Sequence, residues 1–250
     1  MSESARAIPA EPSYLVTVAA IVKETFDTAT LAFEIPPEYQ DAMRYQAGQF
    51  LTMAIPSELT GVVARSYSFC TAPSVDPRPA VTVKRTAEGY ASNWLLDNLR
   101  VGDQVRVLAP GGIFSPKDWD ADLLLFAGGS GITPLLSILK EALTVGTGDL
   151  VLFYANSDER SVIFGRTLSE LAAAHPDRLT VVHWLESVQG LPLQEQVRRF
   201  AAPYADREVF TCGPNGFMTT VDAALKVLGL ARARRQRELF VSLGGAAFGD

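Results

Sequence analysis

A cation, an aromatic ring and a hydroxyl lie close together in VVARSYSFC, residues 62–70. Arg65 interrupts a run of β-branched and aromatic residues that favours an extended chain. Because a buried charge needs a partner, Arg65 must meet either a carboxylate from elsewhere in the fold or an anionic ligand. Tyr67 and Ser68 follow after Ser66, and the rest of the chain must decide which partner Arg65 has.

The stretch AGGSGITP, residues 127–134, is typical of a phosphate-binding turn between a strand and a helix. Gly129 and Gly131 let the backbone approach a diphosphate, and the start of the following helix offers N–H groups to an anion. Pro134 suits a first helical turn, but the dinucleotide fingerprint has glycine or alanine at that place. An ordinary tight turn explains the same residues, and the stretch alone leaves both interpretations open.

A second glycine-containing turn, TCGPNGFM at residues 211–218, follows a strand directly. Ligands of open α/β sheets bind beyond the carboxyl ends of the strands, so Cys212 is a candidate neighbour of a reacting carbon. The alternative is a small buried thiol, a common fate of a free cysteine. No histidine lies nearby in the sequence, which disfavours a cysteine hydrolase.

A fourth stretch, VKRTAEGYASNW at residues 83–94, combines cations with a turn. Lys84 and Arg85 end a strand, Gly89 opens the turn, and Ser92 or Asn93 is predicted to lie at the start of a helix. Backbone donors beside cations form an anion site. A surface hairpin with solvated charges is the alternative.

The elements that would position these stretches change character near Pro116. Before it, short β-branched and aromatic strands separated by Gly, Pro and Asp are typical of an antiparallel barrel, with one helix at 91–102. After it, near-continuous apolar strands alternate with helices, the pattern of a parallel sheet covered by helices. The sequence predicts two domains, a β-barrel at 13–116 and an α/β domain at 117–241, after a loose tail at 1–12.

The composition disfavours several classes of function. The chain has 250 residues, 48% of them hydrophobic and 20% charged, as globular proteins do. Its net charge of −6 disfavours non-specific nucleic-acid binding, and it has neither a secretory signal nor an apolar run long enough for a bilayer. Cys70 and Cys212 are too few for an iron–sulfur cluster and are predicted to be free thiols in a reducing cytoplasm. No metal site is expected.

In combination, these stretches resemble the motifs of the ferredoxin–NADP reductase superfamily, in its bacterial oxygenase-reductase branch. The motifs that match, in the family's order, are Arg65-x-Tyr67-Ser68, Gly89-x-x-Ser92, Gly128–Pro134, and Cys212-Gly213-Pro214 followed by Phe217-Met218. The resemblance covers about residues 13–241. It implies an FAD-binding barrel followed by an NAD(P)-binding α/β domain, most similar to the reductases of ketosteroid or phenylacetyl-CoA ring hydroxylases.

The resemblance implies a role for each candidate in the flavin half. The equivalent of Arg65 neutralises the FAD pyrophosphate, and that of Tyr67 stacks on the isoalloxazine ring. The equivalent of Ser68 hydrogen-bonds near flavin N5, where a hydride arrives. The residues implied to hold the flavin and its phosphates are Val83, Lys84, Gly89, Ala91 and Ser92.

The resemblance also places the nicotinamide nucleotide on the second domain. The residues implied to hold its diphosphate are Gly129, Gly131, Thr133 and Pro134. Cys212, followed by Gly213 and Pro214, would lie beside the nicotinamide and help to aim its C4 at flavin N5. The ending Glu238-x-Phe240 resembles the family's Glu-x-Phe, which assigns Phe240 to cofactor binding and Glu238 to the gap between the two rings. A surface glutamate on a last strand is the alternative for Glu238.

The implied activity is that of an FAD-dependent NAD(P)H reductase, which passes single electrons to a [2Fe-2S] ferredoxin that feeds an oxygenase. A regulatory FAD- and nucleotide-binding electron-transfer subunit of a larger complex is one alternative. A dinucleotide-binding protein without flavin is another. We expect a cytoplasmic monomer that binds neither nucleic acid nor membrane, and the basic run at residues 232–237 could dock an acidic ferredoxin.

The choice of nucleotide and the end of the chain leave alternatives. Asp158 or Glu159 could bond a ribose 2′-hydroxyl, whereas Ser157 and Arg160 could accept a 2′-phosphate, and only the branch resemblance favours NADH. The Gly-rich residues 242–250 resemble the segment that precedes a [2Fe-2S] domain in that branch. They are predicted to be a linker to a missing ferredoxin domain, with a separate ferredoxin protein as the alternative.

Overall fold

The computed structural model describes residues 12–240 and Phe248. Six strands of the first half form an antiparallel sheet in the order β4-β3-β6-β1-β2-β5. A bridge between Phe69 and Val81 joins its two edges and closes it into the predicted barrel. The strands are β1 (Ser13–Thr25), β2 (Thr28–Glu34), β3 (Phe50–Ser57), β4 (Gly61–Ser68), β5 (Ala80–Lys84) and β6 (Gln104–Leu108).

The barrel core follows from alternation along these strands. Inward-facing residues such as Val16, Val18, Leu31 and Phe33 are fully buried, while most of their neighbours in sequence are more exposed. The barrel's helix, α1 (Tyr90–Asn98), buries Leu95 in the same core.

Helix α1 begins earlier than predicted. Gly89 is its N-terminal cap, with an extended backbone, so Ser92 lies inside the first turn. The Ser92 Oγ atom accepts a hydrogen bond from the backbone N–H of Thr86 at 3.1 Å, which holds the preceding turn against the helix. The helix predicted at 91–102 thus begins one position earlier, at Tyr90, and ends four positions sooner, at Asn98, with Ser92 in its first turn as expected.

The second half forms the predicted parallel sheet, in the order β11-β10-β7-β8-β9. All six residues of the strand β7 are buried, because helices cover both faces of the sheet. A four-residue helix, α4, was not predicted. The elements are β7 (Leu123–Gly128), α2 (Ile132–Val145), β8 (Leu150–Asn156), α3 (Gly165–Ala174), β9 (Leu179–Leu185), α4 (Glu186–Gln189), α5 (Gln194–Ala201), β10 (Glu208–Cys212), α6 (Asn215–Val227) and β11 (Arg235–Glu238).

The two halves meet in one apolar cluster. Cys70, Ala80 and Phe114 from the first half pack in the same buried cluster as the apolar residues of β7 and α2. The rings of Phe114 and Phe210 meet edge to face, with centroids 5.3 Å apart. This packing holds the start of α2 against the barrel. The predicted flavin residues and the predicted nucleotide residues come together at this place.

The chain ends are described only in part. Of the predicted tail at 1–12, only residue 12 lies among the described residues, and of the predicted linker at 242–250 only Phe248 does. Phe248 is buried in a cluster with Ala64 and Leu108, and the Arg106 guanidinium lies 5.0 Å from its ring centroid. In the described part of the chain, no helix has the length and apolar composition needed to cross a membrane.

Candidate active site

A cleft of about 620 Å³ lies between the barrel and the start of α2. The ends of β4 and β5 and the start of α1 form one wall, and Ser130 and Thr133 form the other. The cleft gathers many of the residues that the sequence singled out. Those that line it are Arg65, Tyr67, Ser68, Lys84, Gly89, Ala91, Ser92, Thr133 and Phe240.

Among the cations of this cleft, Arg65 is the one without an acidic partner in the described part of the chain. Lys84 lies 3.2 Å from a carboxylate oxygen of Asp27, and Arg85 pairs with Asp97. Within residues 12–240 no carboxylate lies within 4.0 Å of Arg65, whose guanidinium donates to the backbone carbonyl of Ala64 at 2.7 Å. Of the two partners that the sequence allows, the described fold provides no carboxylate, and an anionic ligand of Arg65 stays the prediction.

Backbone donors face the same cleft. No side chain caps the N-terminus of α1, so the N–H groups of its first turn, which begins at Tyr90 and Ala91, are available to an anion. A Cβ on Gly89 would lie 2.8 Å from Thr86 Cβ, so the turn needs a residue without a side chain there. The guanidinium and the helix start together fit a diphosphate.

Tyr67 adds a neutral aromatic surface beside Arg65. Burial raises the pKa of its phenol to about 12, although the Arg65 charge acts in the opposite direction. Ser68 is 3% exposed and lies on the same cleft wall. A flat neutral ring, a hydroxyl and an anion site in one cleft fit the isoalloxazine and pyrophosphate of FAD.

One predicted flavin residue is placed differently. The side chain of Val83 is fully buried in the barrel core, because it alternates with Thr82 and Lys84, which line the cleft. The side chain of Val83 is therefore turned away from the cleft, and its assignment to cofactor binding stays a prediction. Only its backbone could take part.

A second cleft, of about 560 Å³, lies at the carboxyl ends of β7 and β8. It shares Lys84 and Ser130 with the first cleft, so the two form one continuous groove across both domains. Gly129 lines it with φ at +52°, and a Cβ there would meet no atom within 4 Å. The backbone is open to a ligand at this position, as a diphosphate would require. Pro214 and Phe217 also line this cleft, and both lie beside Gly128.

Glycine is needed at position 131 for a different reason than the predicted approach of a diphosphate. It is buried and lines neither cleft, and a Cβ there would lie 2.1 Å from the carbonyl oxygen of Cys212. A Cβ on Gly213 would in turn lie 2.9 Å from the backbone of Gly128. The two loops are packed backbone to backbone, so Gly131 serves this approach. Pro134 is buried in the first turn of α2 and lines neither cleft.

Cys212 and Glu238 are brought together by the pairing of β10 with β11, in which they are register partners. Cys212 is fully buried and lines neither cleft, and burial, with a contribution from Glu238, raises the pKa of its thiol. Burial also raises the pKa of Glu238, to about 7. A carboxyl that changes protonation near neutrality suits proton handling, but its place between two rings stays a prediction, as does that of Cys212 beside a nicotinamide.

The sequence did not single out two of the residues that line the second cleft. Asn156 ends β8, is 7% exposed, and neither atom of its amide has a hydrogen-bond partner among the described residues. Trp184 lines the same cleft and donates through Nε1 to the Gly190 carbonyl at 2.7 Å. A polar residue at the end of an apolar parallel strand is the sequence signal that could have identified Asn156.

The raised pKa of Glu238 has a consequence for stability. The folded protein binds this proton more tightly than the unfolded chain, so the stabilising effect is complete below pH 4.5 and is lost as the pH rises through about 7. Glu238→Gln removes this loss. We expect the difference in thermal midpoint between the variant and wild type to increase by about 2–4 °C from pH 5 to pH 8. This corresponds to about 1 kcal/mol in the free energy of unfolding, after allowing for the partial exposure of the carboxyl.

The control for Glu238→Gln is Glu208→Gln, the same chemical change at the first residue of β10. Its midpoint is expected to follow wild type across the same pH range. A constant difference between Glu238→Gln and wild type at both pH values would show that this carboxyl is already ionised at pH 5.

Comparisons with known proteins agree with the two-domain arrangement. Residues 15–115 match the family model of the oxidoreductase FAD-binding domain, and residues 125–223 match that of the oxidoreductase NAD-binding domain. The chain is 55% identical over 238 residues to the ferredoxin reductase component of 3-ketosteroid-9-alpha-monooxygenase from Rhodococcus rhodochrous, across 95% of this chain and 68% of that protein.

Two further relatives are reductases of monooxygenases. The component of the same name from Mycobacterium tuberculosis (strain ATCC 25618 / H37Rv) is 52% identical, over 92% of this chain and 66% of its own length. The glycine betaine monooxygenase reductase subunit of Chromohalobacter salexigens is 32% identical, over 88% of this chain and 62% of its own length. The chain thus spans about two thirds of the length of these curated relatives.

Solved structures show the same fold at low identity. A cytochrome P450 reductase from Amycolatopsis superposes with a TM-score of 0.76 at 24% identity, over 92% of this chain and 71% of that chain. The ferredoxin-NADP+ reductase of Plasmodium falciparum superposes with a TM-score of 0.75 at 16% identity, over 91% and 96%. The predicted pair of a barrel and an α/β domain is confirmed.

Proposed function

Since the chain belongs to the family of ferredoxin reductase components of monooxygenases, we propose that it is an FAD-dependent NADH reductase that delivers single electrons to a [2Fe-2S] ferredoxin feeding an oxygenase. The observation that carries the proposal is the continuous groove in which Arg65, without a carboxylate partner in the described fold, faces the loop before α2. The ferredoxin is either a further domain or a separate protein.

The barrel residues bind and orient the flavin. When bound, FAD accepts a hydride from the nicotinamide and gives up its electrons one at a time. Arg65 and the first turn of α1 neutralise and hold the diphosphate. Tyr67 supplies the stacking face, and Ser68 fixes the ring by a hydrogen bond. Phe240, at the far end of the described chain, covers the cleft from the other domain.

The α/β domain binds and orients the nicotinamide nucleotide. The loop at Gly129 and the start of α2 hold its diphosphate. Trp184 and Phe217 offer apolar surfaces in the second cleft, and Asn156 offers an amide with both a donor and an acceptor to spare. Glu238, whose pKa is about 7, holds or releases a proton close to Cys212.

The charges of the second cleft favour NADH over NADPH. Glu186 lines it, and among the described residues its only lining cation is Lys84, on the flavin side. Arg160, which could have accepted a 2′-phosphate, is exposed and does not line the cleft. One carboxylate oxygen of Asp158 accepts a hydrogen bond from the backbone N–H of Ser161 at 2.9 Å. The negative charge of Glu186 in the cleft opposes a 2′-phosphate.

The oxygenase that this reductase serves is proposed to be of the 3-ketosteroid 9-alpha type, on the 55% identity to such a component. The protein is proposed to be a cytoplasmic monomer that binds neither nucleic acid nor membrane, which its net charge of −6 and two free thiols support. In the basic run at 232–237, Arg234 donates to the Arg207 carbonyl and Arg235 pairs with Asp222. These contacts favour a structural role for part of the run over ferredoxin docking.

The test of this function is electron delivery. We expect the FAD-loaded protein, mixed anaerobically with NADH and a plant-type [2Fe-2S] ferredoxin, to produce the paramagnetic signal of the reduced cluster at catalytic protein concentrations. Omission of the protein or of NADH is the control. A flavin that NADH reduces while the cluster stays oxidised would contradict the electron-transfer part of the proposal. A flavin that NADH does not reduce would favour the regulatory subunit.

A further inference from the structure

Three side chains of α2 are held by a single loop of the barrel. Lys140 Nζ lies 2.6 Å from each carboxylate oxygen of Asp76. Ser74 donates to Glu141 twice, through Oγ at 2.6 Å and through its backbone N–H at 3.1 Å. One turn earlier, the Ser137 hydroxyl donates to a loop carbonyl, that of Thr71. We call these six residues the interdomain clasp.

The clasp is built of groups that are costly to bury. Glu141 is 7% exposed and Ser137 is fully buried, while the side chains of Lys140 and Asp76 are 15% and 20% exposed. Charges at this depth are stable only when paired and hydrogen-bonded. Because the partners come from different domains, separating the domains by even a small amount would leave these charges unpaired.

The loop of the clasp is fixed on the barrel side. Thr71 Oγ1 accepts hydrogen bonds from the Tyr45 hydroxyl at 2.8 Å and from the Ala80 N–H at 3.0 Å. Asp76 accepts from the Ala72 N–H at 2.7 Å, which closes the loop on itself. The clasp therefore presents a preformed set of partners to α2.

The clasp connects the two halves of the groove along short stretches of chain. Its loop begins three residues after Ser68, which is the last residue of the strand that carries Arg65 and Tyr67. On the other side, α2 starts directly after the turn at Gly129–Gly131. Contacts at three positions of one helix face, 137, 140 and 141, fix both the rotation and the axial position of α2.

We propose that Asp76, Lys140 and Glu141 are positioning residues that set the alignment of the nicotinamide site against the flavin site. This inference rests on the proposed function. Hydride transfer requires the reacting atoms at near-contact distance, and a misplacement of about 1 Å costs about 100-fold in rate. The clasp holds the start of α2 at a fixed distance from β4, and none of its six residues lines either cleft.

The test compares Glu141→Ala with Glu141→Gln in the FAD-loaded protein. Alanine removes both acceptors for Ser74, whereas glutamine keeps an oxygen for the Ser74 hydroxyl. For Glu141→Ala we expect unchanged FAD affinity and NADH affinity within about twofold, but single-turnover flavin reduction by NADH slowed between about 10-fold and 100-fold. We also expect a weaker long-wavelength absorbance from stacking of the nicotinamide on the flavin. Glutamine restores most of both signals.

A second variant and a control complete the test. Lys140→Met, which breaks the other half of the clasp, is expected to slow the same step and to speed amide hydrogen exchange in residues 71–76 and at the start of α2. Glu170→Ala, which breaks an exposed ion pair with Arg166 on α3, is the control and should match wild type.

The outcomes separate the clasp from the proposed function. Wild-type reduction rates and wild-type stacking absorbance in both clasp variants would overturn the inference, and so would a slow rate explained entirely by lost FAD. Reduction by dithionite should be equal in all variants. If dithionite reduces the flavin of the wild-type protein and NADH does not, the proposed function itself is contradicted. The positioning role is then contradicted as well, because it rests on that function.

Discussion

Replacing Arg65 by alanine is expected to lower the affinity for FAD by about 100-fold, which corresponds to about 2.7 kcal/mol. The guanidinium lines the cleft without a carboxylate partner in the described fold, whereas Lys84 is paired with Asp27. Removing it leaves a buried diphosphate without its main compensating charge. Titration of the FAD-free protein with FAD, followed by flavin fluorescence, measures the loss.

Arg65→Lys should recover part of the binding, because it keeps the charge but not the forked donor geometry. Arg44→Ala is the matched control, since Arg44 is an exposed arginine of the same domain that pairs only with Asp41. An Arg65→Ala variant that keeps the FAD content and affinity of wild type would show that the anion site lies elsewhere in the cleft.

Gly131→Ala is expected to destabilise the α/β domain by about 3 kcal/mol, at the upper end of overpacking effects. The new Cβ would lie 2.1 Å from the Cys212 carbonyl oxygen and 2.3 Å from its carbon, and both are backbone atoms that cannot rotate away. The loops before α2 and after β10 must then move apart. A lower midpoint in chemical unfolding, with weakened NADH binding, is the expected measurement.

Gly216→Ala provides the control for Gly131→Ala. Gly216 lies in the first turn of α6, and a Cβ there meets no atom within 4 Å. Alanine at this helical position should leave stability unchanged or raise it by up to about 1 kcal/mol. Equal midpoints for Gly131→Ala and wild type would mean that the backbone contact is not as close as described.

Local patterns were enough to predict most of the architecture. The apolar strands and the turn residues between them gave the strand positions closely, as for β1 at Ser13–Thr25. Hydrophobic periodicity and helix-forming composition likewise located α2 and α6. These signals act within a few residues of each other, so they are legible in a single sequence. Arg65 stood out because its charge breaks the pattern of its strand, and Tyr67 and Ser68 stood out because they lie close to that charge.

Local patterns could not predict contacts between residues that lie far apart in the sequence. The reason for Gly131 lies in a carbonyl 81 positions away, at Cys212, and the clasp joins Asp76 to Lys140. The unpartnered amide of Asn156 is visible only once the neighbouring strands are in place. Val83 was assigned by its neighbours in the chain, although alternation turns its side chain into the barrel.

The most direct test of the central claim is the visible spectrum of the purified protein supplied with FAD, recorded before and after anaerobic NADH and then NADPH. We predict a yellow protein that NADH bleaches rapidly and NADPH bleaches slowly. A protein that takes up no FAD would contradict the assignment of the Arg65, Tyr67 and Ser68 cleft, and a yellow protein that neither nucleotide bleaches would contradict the reductase.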